Sequence, residues 1–183
     1  KIRKAARNGI DIRMGGAELL PDFYRVYRRG IHRLGSLGLP RRFFHELLNG
    51  YSFGSAKVAV AYLNGKPCGS GVLLTYVSFA ENPWFASDRV GNRRYVTYLL
   101  HHALMKEAIA EGCSIYSFGR STRGGPVEKF KRQWGCHELP LYYNCPGESY
   151  DIGRKVRILQ KLIRLMPQSV AMVLDNPVSK RVY

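Results

Sequence analysis

Two apolar, β-rich runs on either side of Asn64-Gly65 constrain this chain more than any other feature. Asn-Gly suits the two central positions of a tight hairpin turn, both of which need positive φ. Residues 56–63 and 67–79 are therefore predicted to pair as antiparallel strands. A two-residue side-chain period puts Val58, Val60 and Tyr62 on one face. Cys68-Gly69-Ser70-Gly71 is small throughout, a composition that serves either a β-bulge or the close approach of a ligand. The bulge is the simpler reading.

Helical patterns surround the hairpin. Residues 1–8 read as a helix stopped at Gly9, and residues 10–14 alternate as a short strand does. Residues 18–33 form an amphipathic pattern, with Leu19, Phe23, Val26 and Tyr27 inward. Arg25, Arg28, Arg29 and Arg33 are left to water or to an anion. A Gly- and Pro-containing loop (35–40) separates this helix from another at 41–48. Residues 84–94 read as a loop over the sheet. Residues 95–111 then form a long helix, with Tyr95, Leu99, His102, Met105 and Ile109 at helical spacing and Gly112 as its stop. Residues 113–118 and 137–143 read as strands, and residues 151–166 as a last helix. In that helix Arg154, Arg157, Lys161 and Arg164 form a basic stripe beside Ile158, Leu159, Leu162, Leu165 and Met166.

Helices, hairpin, long helix, strand, short helix, strand: this order predicts an α/β (α+β) domain with helices against a mixed sheet. At 183 residues the chain can bury a sizeable core. No apolar run approaches the roughly 20 residues needed to span a bilayer. The chain starts at Lys1 without Met, which predicts a piece of a longer protein.

The net charge of +16 calls for acidic partners, such as nucleic acid, anionic lipid or a phosphorylated small molecule. Cys68, Cys113, Cys136 and Cys145 form no C-x-x-C pair and have no clustered histidine, so no metal site is expected. They read as inert thiols in a reducing, cytoplasmic setting. His101 and His102 are adjacent and point to different sides of their helix, so they cannot form an i, i+4 metal pair.

The chemistry concentrates in Ser117-Phe118-Gly119-Arg120-Ser121-Thr122-Arg123-Gly124-Gly125-Pro126, which leads to Phe130-Lys131 and Trp134-Gly135. A strand that ends in a Gly-rich turn with several cations can present N–H groups and positive charge to an anion. It can equally be an ordinary strand-to-helix connection.

These residues resemble the C-terminal GNAT-like domain of the Fem family of peptidoglycan aminoacyltransferases. The nearest likeness is to FemAB-related proteins associated with PEP-CTERM/exosortase systems. The likeness runs through Ile2-Arg3-Lys4-Ala5, His32-Arg33-Leu34-Gly35-Ser36 and Phe43-Phe44 to Phe118-Gly119-Arg120-Ser121, Phe130-Lys131, Trp134-Gly135 and the basic tail. It implies the GNAT-like acyltransferase fold, with residues 1–150 as the second of two such domains in the parent protein. Residues 151–183 are then a basic amphipathic helix and tail, with a membrane-peripheral contact as one use.

The implied reaction transfers an acyl or aminoacyl group to an amine of a cell-envelope or exopolysaccharide precursor. The donor is aminoacyl-tRNA or an acyl-CoA, and the first domain of the parent protein is a partner. Lys131 and Phe130 are the expected catalytic pair: the cation faces a developing oxyanion or a substrate phosphate, and the ring excludes water. Gly119, Arg120, Ser121, Arg123, Gly125 and Trp134 are the expected substrate contacts.

The chain departs from its relatives at Ser117, where Asp is usual, and at His101-His102, where Tyr-Trp is frequent. It shows only an echo of a pyrophosphate-binding loop, at Arg89-Val90-Gly91-Asn92-Arg93. An acyl-CoA-dependent N-acetyltransferase and a non-catalytic module for RNA or anionic membrane are the alternatives.

Overall fold

The computed structural model describes residues 1–142, 152–167 and 170. The predicted hairpin is its centre. β1 (Ile10–Gly15), β2 (Ser55–Leu63) and β3 (Lys66–Tyr76) form an antiparallel ladder, with Asn64 and Gly65 at the turn in left-handed conformation. The register shifts between Ala61 and Tyr62, which face Gly69 and Pro67, so Cys68 is the extra residue of a bulge. The run expected as one strand to residue 79 breaks at Val77, which has φ of 53°. Beyond the break, β4 (Phe79–Glu81) pairs with β3, and β5 (Phe85–Ser87) pairs with β3 further along. β6 (Ile115–Ser117) joins β4 in parallel, giving the order β1-β2-β3-β4-β6 with β5 beside β3.

Both faces of the hairpin are covered. Val58, Val60, Tyr62 and Val72 pack with Leu20, Phe23 and Tyr27 of α2 (Leu20–Leu34) and Phe44 of α3 (Arg41–Gly50). Phe23, Tyr27 and Phe44 meet ring to ring, with centroids 4.9–5.8 Å apart. Ala59, Ala61, Leu63 and Leu73 pack on the other side against the long central helix (Val96–Ala110) and Ala5 of α1 (Ile2–Arg7). Small residues set that spacing. A Cβ on Gly69 would lie 2.9 Å from Val96, and one on Gly71 would lie 3.1 Å from Leu104.

The structure corrects several expectations. The stretch 84–94 is not a plain loop: it holds β5 and a short helix, α4 (Arg89–Arg93), capped where Asp88 Oδ1 accepts from Gly91 N at 2.7 Å. The long central helix is therefore α5. Its buried stripe is Val96, Leu100, Leu104 and Ala108 with His101, while Ile109 is exposed. α5 is apolar on nearly every side, so spacing alone did not phase it. Arg28 of α2 is buried, its guanidinium 5.9 Å from the Tyr24 ring, and Arg33 donates to Ser87 O at 2.8 Å.

Residues 137–142 carry no strand; Leu139, Leu141 and Tyr142 stand exposed, and Pro140 lacks the N–H a ladder needs. Tyr143, Cys145 and the boundary at 150/151 lie outside the described residues. α6 (Pro126–Arg132) follows β6, and α7 (Ile152–Leu165) sits against the end of α2. There Ile163 is buried, Arg164 donates to Leu34 O at 3.2 Å, and Leu159, Leu162 and Leu165 are exposed.

Truncating the ring at the centre of the α2–α3 layer should be costly. Phe44→Ala is expected to destabilise the fold by about 3–5 kcal/mol. The measurement is urea unfolding, where the midpoint should fall at an unchanged slope.

Candidate active site

β4 and β6 run side by side for three residues, pairing Phe79 with Ile115, Ala80 with Tyr116 and Glu81 with Ser117. Then they part. Asn82 N still donates to Ser117 O at 3.1 Å, after which β5 turns to β3 and the chain beyond Ser117 turns away through Phe118 and Gly119. Gly119 has φ of 68°, a conformation that strains any residue with a Cβ. Its N–H donates to Ser117 Oγ at 3.0 Å, so the Ser117 hydroxyl shapes the turn.

Aromatic rings fill the wedge where the strands diverge. His101 of α5 stacks flat on Phe85, with centroids 4.3 Å apart, and it meets Phe118, Phe130 and Trp134 at 5.1–6.2 Å. Tyr98 packs edge-on against Phe130 at 5.0 Å, and Lys1 Nζ ties Tyr98 Oη to Gln133 Oε1. Burial in this cluster, with the nearby Lys131 charge, lowers the His101 pKa to about 3, so the imidazole is neutral. Tyr116, whose hydroxyl lies 3.4 Å from His101 Nδ1, is pushed well above the usual phenol range by burial. The indole Nε1 of Trp134 is buried with no hydrogen-bond partner among the described residues.

Lys131 closes the wedge from α6. It is half-buried, and its Nζ donates to Gly119 O and Arg120 O, both at 2.9 Å. Desolvation lowers its pKa, against the attraction of Cys136 and Glu81. An ammonium has three donors, so one remains after these two bonds.

Of the residues singled out in the sequence, the structure thus brings together Lys131, Phe130, Trp134, Gly119 and the backbone of Arg120. Ser121 and Arg123 lie on the exposed loop before α6. Gly125 is the N-cap position just before α6; a Cβ there would lie 2.9 Å from Thr122 O, so close packing of its own loop accounts for it. Sequence reasoning missed Glu81, Tyr98 and Tyr116. Glu81 ends a three-residue strand that no periodicity reveals.

A basic depression of about 450 Å³ lies apart from the loop after β6, lined by Lys4, Asn8, Val90, Arg93, Arg94 and Tyr95. It holds three cations and no carboxylate. Arg89-Val90-Gly91-Asn92-Arg93 is the α4 turn, and Gly91 is small because Cys68 O and Val96 press on it.

Residues 1–132 match the model of the acetyltransferase (GNAT) domain. The chain belongs to this family. The fold agrees: helices flank a mixed sheet whose one parallel pair diverges. A crystal structure of an aminoglycoside acetyltransferase, meta-AAC0020, from an uncultured soil metagenomic sample is similar with a TM-score of 0.60 at 19% identity. It covers 78% of this chain and 99% of that one. A ribosomal-protein-alanine N-acetyltransferase from Brucella melitensis has a TM-score of 0.55 at 14% identity, over 76% and 99%. At these identities the likeness is one of fold.

Among curated proteins, the UDP-N-acetylmuramoylpentapeptide-lysine N(6)-alanyltransferase of Weissella viridescens is 24% identical over 122 residues, 65% of this chain. The chain spans about a third (35%) of that relative's length. This GNAT domain is accordingly of the acyltransferase class. Among its described residues no helix is long and apolar enough to cross a membrane.

The neutral state of His101 has a consequence for stability. An unfolded histidine titrates near 6.5, whereas the folded one titrates at about 3. Between these values the unfolded chain takes up a proton that the folded chain refuses. Stability from this group is complete above pH 6.5 and is lost as pH falls toward 3. His101→Phe should flatten this part of the stability–pH curve, as measured by thermal melts between pH 7 and 4.

Proposed function

We propose that this chain is a catalytic domain that transfers an acyl or aminoacyl group to an amine of a cell-envelope precursor. The observation that carries the reading is Lys131: a half-buried ammonium pinned by two backbone carbonyls at the mouth of the diverging β4–β6 pair. Attack of an amine on an ester or thioester develops negative charge on the carbonyl oxygen. A cation already fixed in a partly dehydrated site stabilises that charge without reorganising. Phe130 and Trp134 wall the site. The buried indole N–H of Trp134 has no acceptor among the described residues, and a substrate carbonyl that reached it would offset the cost of about 1–3 kcal/mol for an unpaired donor.

The alanyltransferase relative supports an aminoacyl donor and a lysine amine of a peptide precursor as acceptor. The motif Phe118-Gly119-Arg120-Ser121 extends the reading to the exosortase-associated FemAB-like branch and to exopolysaccharide precursors. The basic depression at Lys4, Arg93 and Arg94 takes phosphates of the donor, be it tRNA or an acyl-CoA. Arg120 and Arg123 meet the anionic substrate on the exposed side of the loop, with Ser121 as a hydrogen-bond partner. The site acts in the cytoplasm beside a first GNAT-like domain. α7, with Leu159, Leu162 and Leu165 exposed beside Lys161 and Arg164, supplies the membrane-peripheral contact.

The test is transfer from alanyl-tRNA and, separately, from acetyl-CoA to a lysine-containing nucleotide-linked muropeptide. Lys131→Met should lower the turnover number by about 10²-fold or more while leaving the melting temperature within a few degrees. Transfer from acetyl-CoA alone would move the reading to an N-acetyltransferase. Turnover unchanged in Lys131→Met would remove Lys131 from the reaction.

A further inference from the structure

The clamp on Lys131 needs an unusual backbone. Its two carbonyls belong to successive residues, Gly119 and Arg120, and both lie 2.9 Å from Nζ. In an extended chain successive carbonyls point to opposite sides, so two of them reach one ammonium only where the chain turns. Gly119 makes that turn, with φ of 68°. Glycine adopts left-handed backbone at no steric cost, but it populates other conformations as readily. It permits the turn without enforcing it.

One side chain enforces it. Ser117 Oγ accepts the Gly119 N–H at 3.0 Å, a side-chain-to-backbone bond over two residues that closes a local turn. Ser117 is itself anchored in the sheet: it pairs with Glu81 in the β4–β6 register, and its carbonyl accepts from Asn82 N at 3.1 Å. A continuous line of hydrogen bonds thus runs from β4 through Ser117 and Gly119 to the ammonium. The other end of Lys131 is fixed on α6, where its carbonyl accepts from Trp134 N at 2.9 Å and from Cys136 Sγ at 3.3 Å.

Few charges compete with this line. Glu81 lies across Gly119, where a Cβ would be 3.5 Å from its Oε1; Glu81 and Cys136 both attract the ammonium. His101 is neutral, partly because it feels the Lys131 charge. Among the described residues Lys131 makes no ion pair, so neutral carbonyls, and through them the turn, set where its charge stands.

We propose that Ser117 is the positioning residue for Lys131: its hydroxyl holds Gly119 left-handed, and the turn fixes the direction left to the third donor of the ammonium. The catalytic consequence rests on the acyltransferase reading above, whereas the clamp itself does not. The residue type fits this role. A hydroxyl accepts from Gly119 N without bringing a charge. A carboxylate here would accept the same bond but set a second acidic group beside Glu81, drawing the ammonium into an ion pair. With Ser117 in place desolvation is the larger influence, and the Lys131 pKa stays below its ordinary value.

The test compares Ser117→Ala, Ser117→Thr and Ser117→Asp in the whole chain. Alanine removes the acceptor, threonine keeps it, and aspartate keeps it with a charge. NMR reads the hydrogen exchange of the Gly119 amide and the titration of the Lys131 side chain. Ser117→Ala should speed Gly119 exchange by about tenfold. It should also raise the Lys131 pKa toward the ordinary lysine value, because a released ammonium is hydrated. Ser117→Thr should match the wild type in both readouts. Ser117→Asp should keep the amide protected and raise the Lys131 pKa. The proposal is overturned if Ser117→Ala leaves the Lys131 titration unmoved, or if Ser117→Thr fails to restore it. Should Ser117→Ala not fold, Ser117→Asp decides: fast Gly119 exchange or an unmoved Lys131 titration overturns the proposal.

In the transfer assay, Ser117→Ala should lower the turnover number at least about tenfold at an unchanged KM for the donor. The alkaline limb of its pH profile should move to higher pH with the Lys131 pKa. If no donor supports transfer by the wild type, the acyltransferase reading fails there, while the NMR titration still decides whether Ser117 positions Lys131.

Discussion

The β2–β3 hairpin is buried on both faces, and the rest of the architecture follows from that requirement. A strand pair in which β2 alternates valine with alanine and β3 is small or apolar from Pro67 to Leu74 has no charged face to leave in water, so it must be covered twice. α2 and α3 cover the valine side with a cluster of rings. α5 covers the alanine and glycine side at a distance that Gly69 and Gly71 make possible. Burying apolar area on two faces is the main stabilising term available to a chain of this size. It also holds β3 rigidly enough to carry two separate short strands, β4 and β5, along its outer edge.

That edge is where fold becomes site. β4 pairs with β6 for three residues while β5 stays with β3, so the sheet opens at Asn82-Pro83-Trp84. Pro83 can donate nothing to a ladder, and the Asn82 side chain donates to Val72 O and Trp84 O to secure the break. The gap is filled by rings from four elements, and a neutral His101 is stacked among them because burial makes its charged form costly. The rim keeps two opposite charges, Lys131 and Glu81, around Gly119. The same burial that excludes water from the rings raises the worth of those charges.

Much of this was legible from residues alone where a local rule has one solution. Asn64-Gly65 specified a hairpin, the glycines after Cys68 coincided with a bulge, and Gly119 stands where the backbone turns left-handed. The resemblance carried by Phe118-Gly119-Arg120-Ser121 and Phe130-Lys131 led to the GNAT fold that the family match bears out. Local rules failed where more than one solution satisfied them. α5 is apolar almost all round, so its buried stripe was misassigned by spacing. Arg28 looked like a solvated cation until Tyr24 and the neighbouring layers enclosed it. Strands of three residues, such as β4 and β5, carry too few side chains to show a period.

By itself, then, the sequence determined the hairpin, the helices around it, the acyltransferase family and the position of Lys131 after a Gly-rich turn. These rest on backbone preferences and on patterns within a few residues of one another. Only the tertiary structure decided that β4 and β6 diverge, that His101 is neutral among rings, and that Glu81 stands across Gly119 from Lys131. Glu81 and Lys131 are fifty residues apart in the chain. Their proximity comes from a parallel pairing that a crossover helix must close, and no local pattern encodes a contact made at that range.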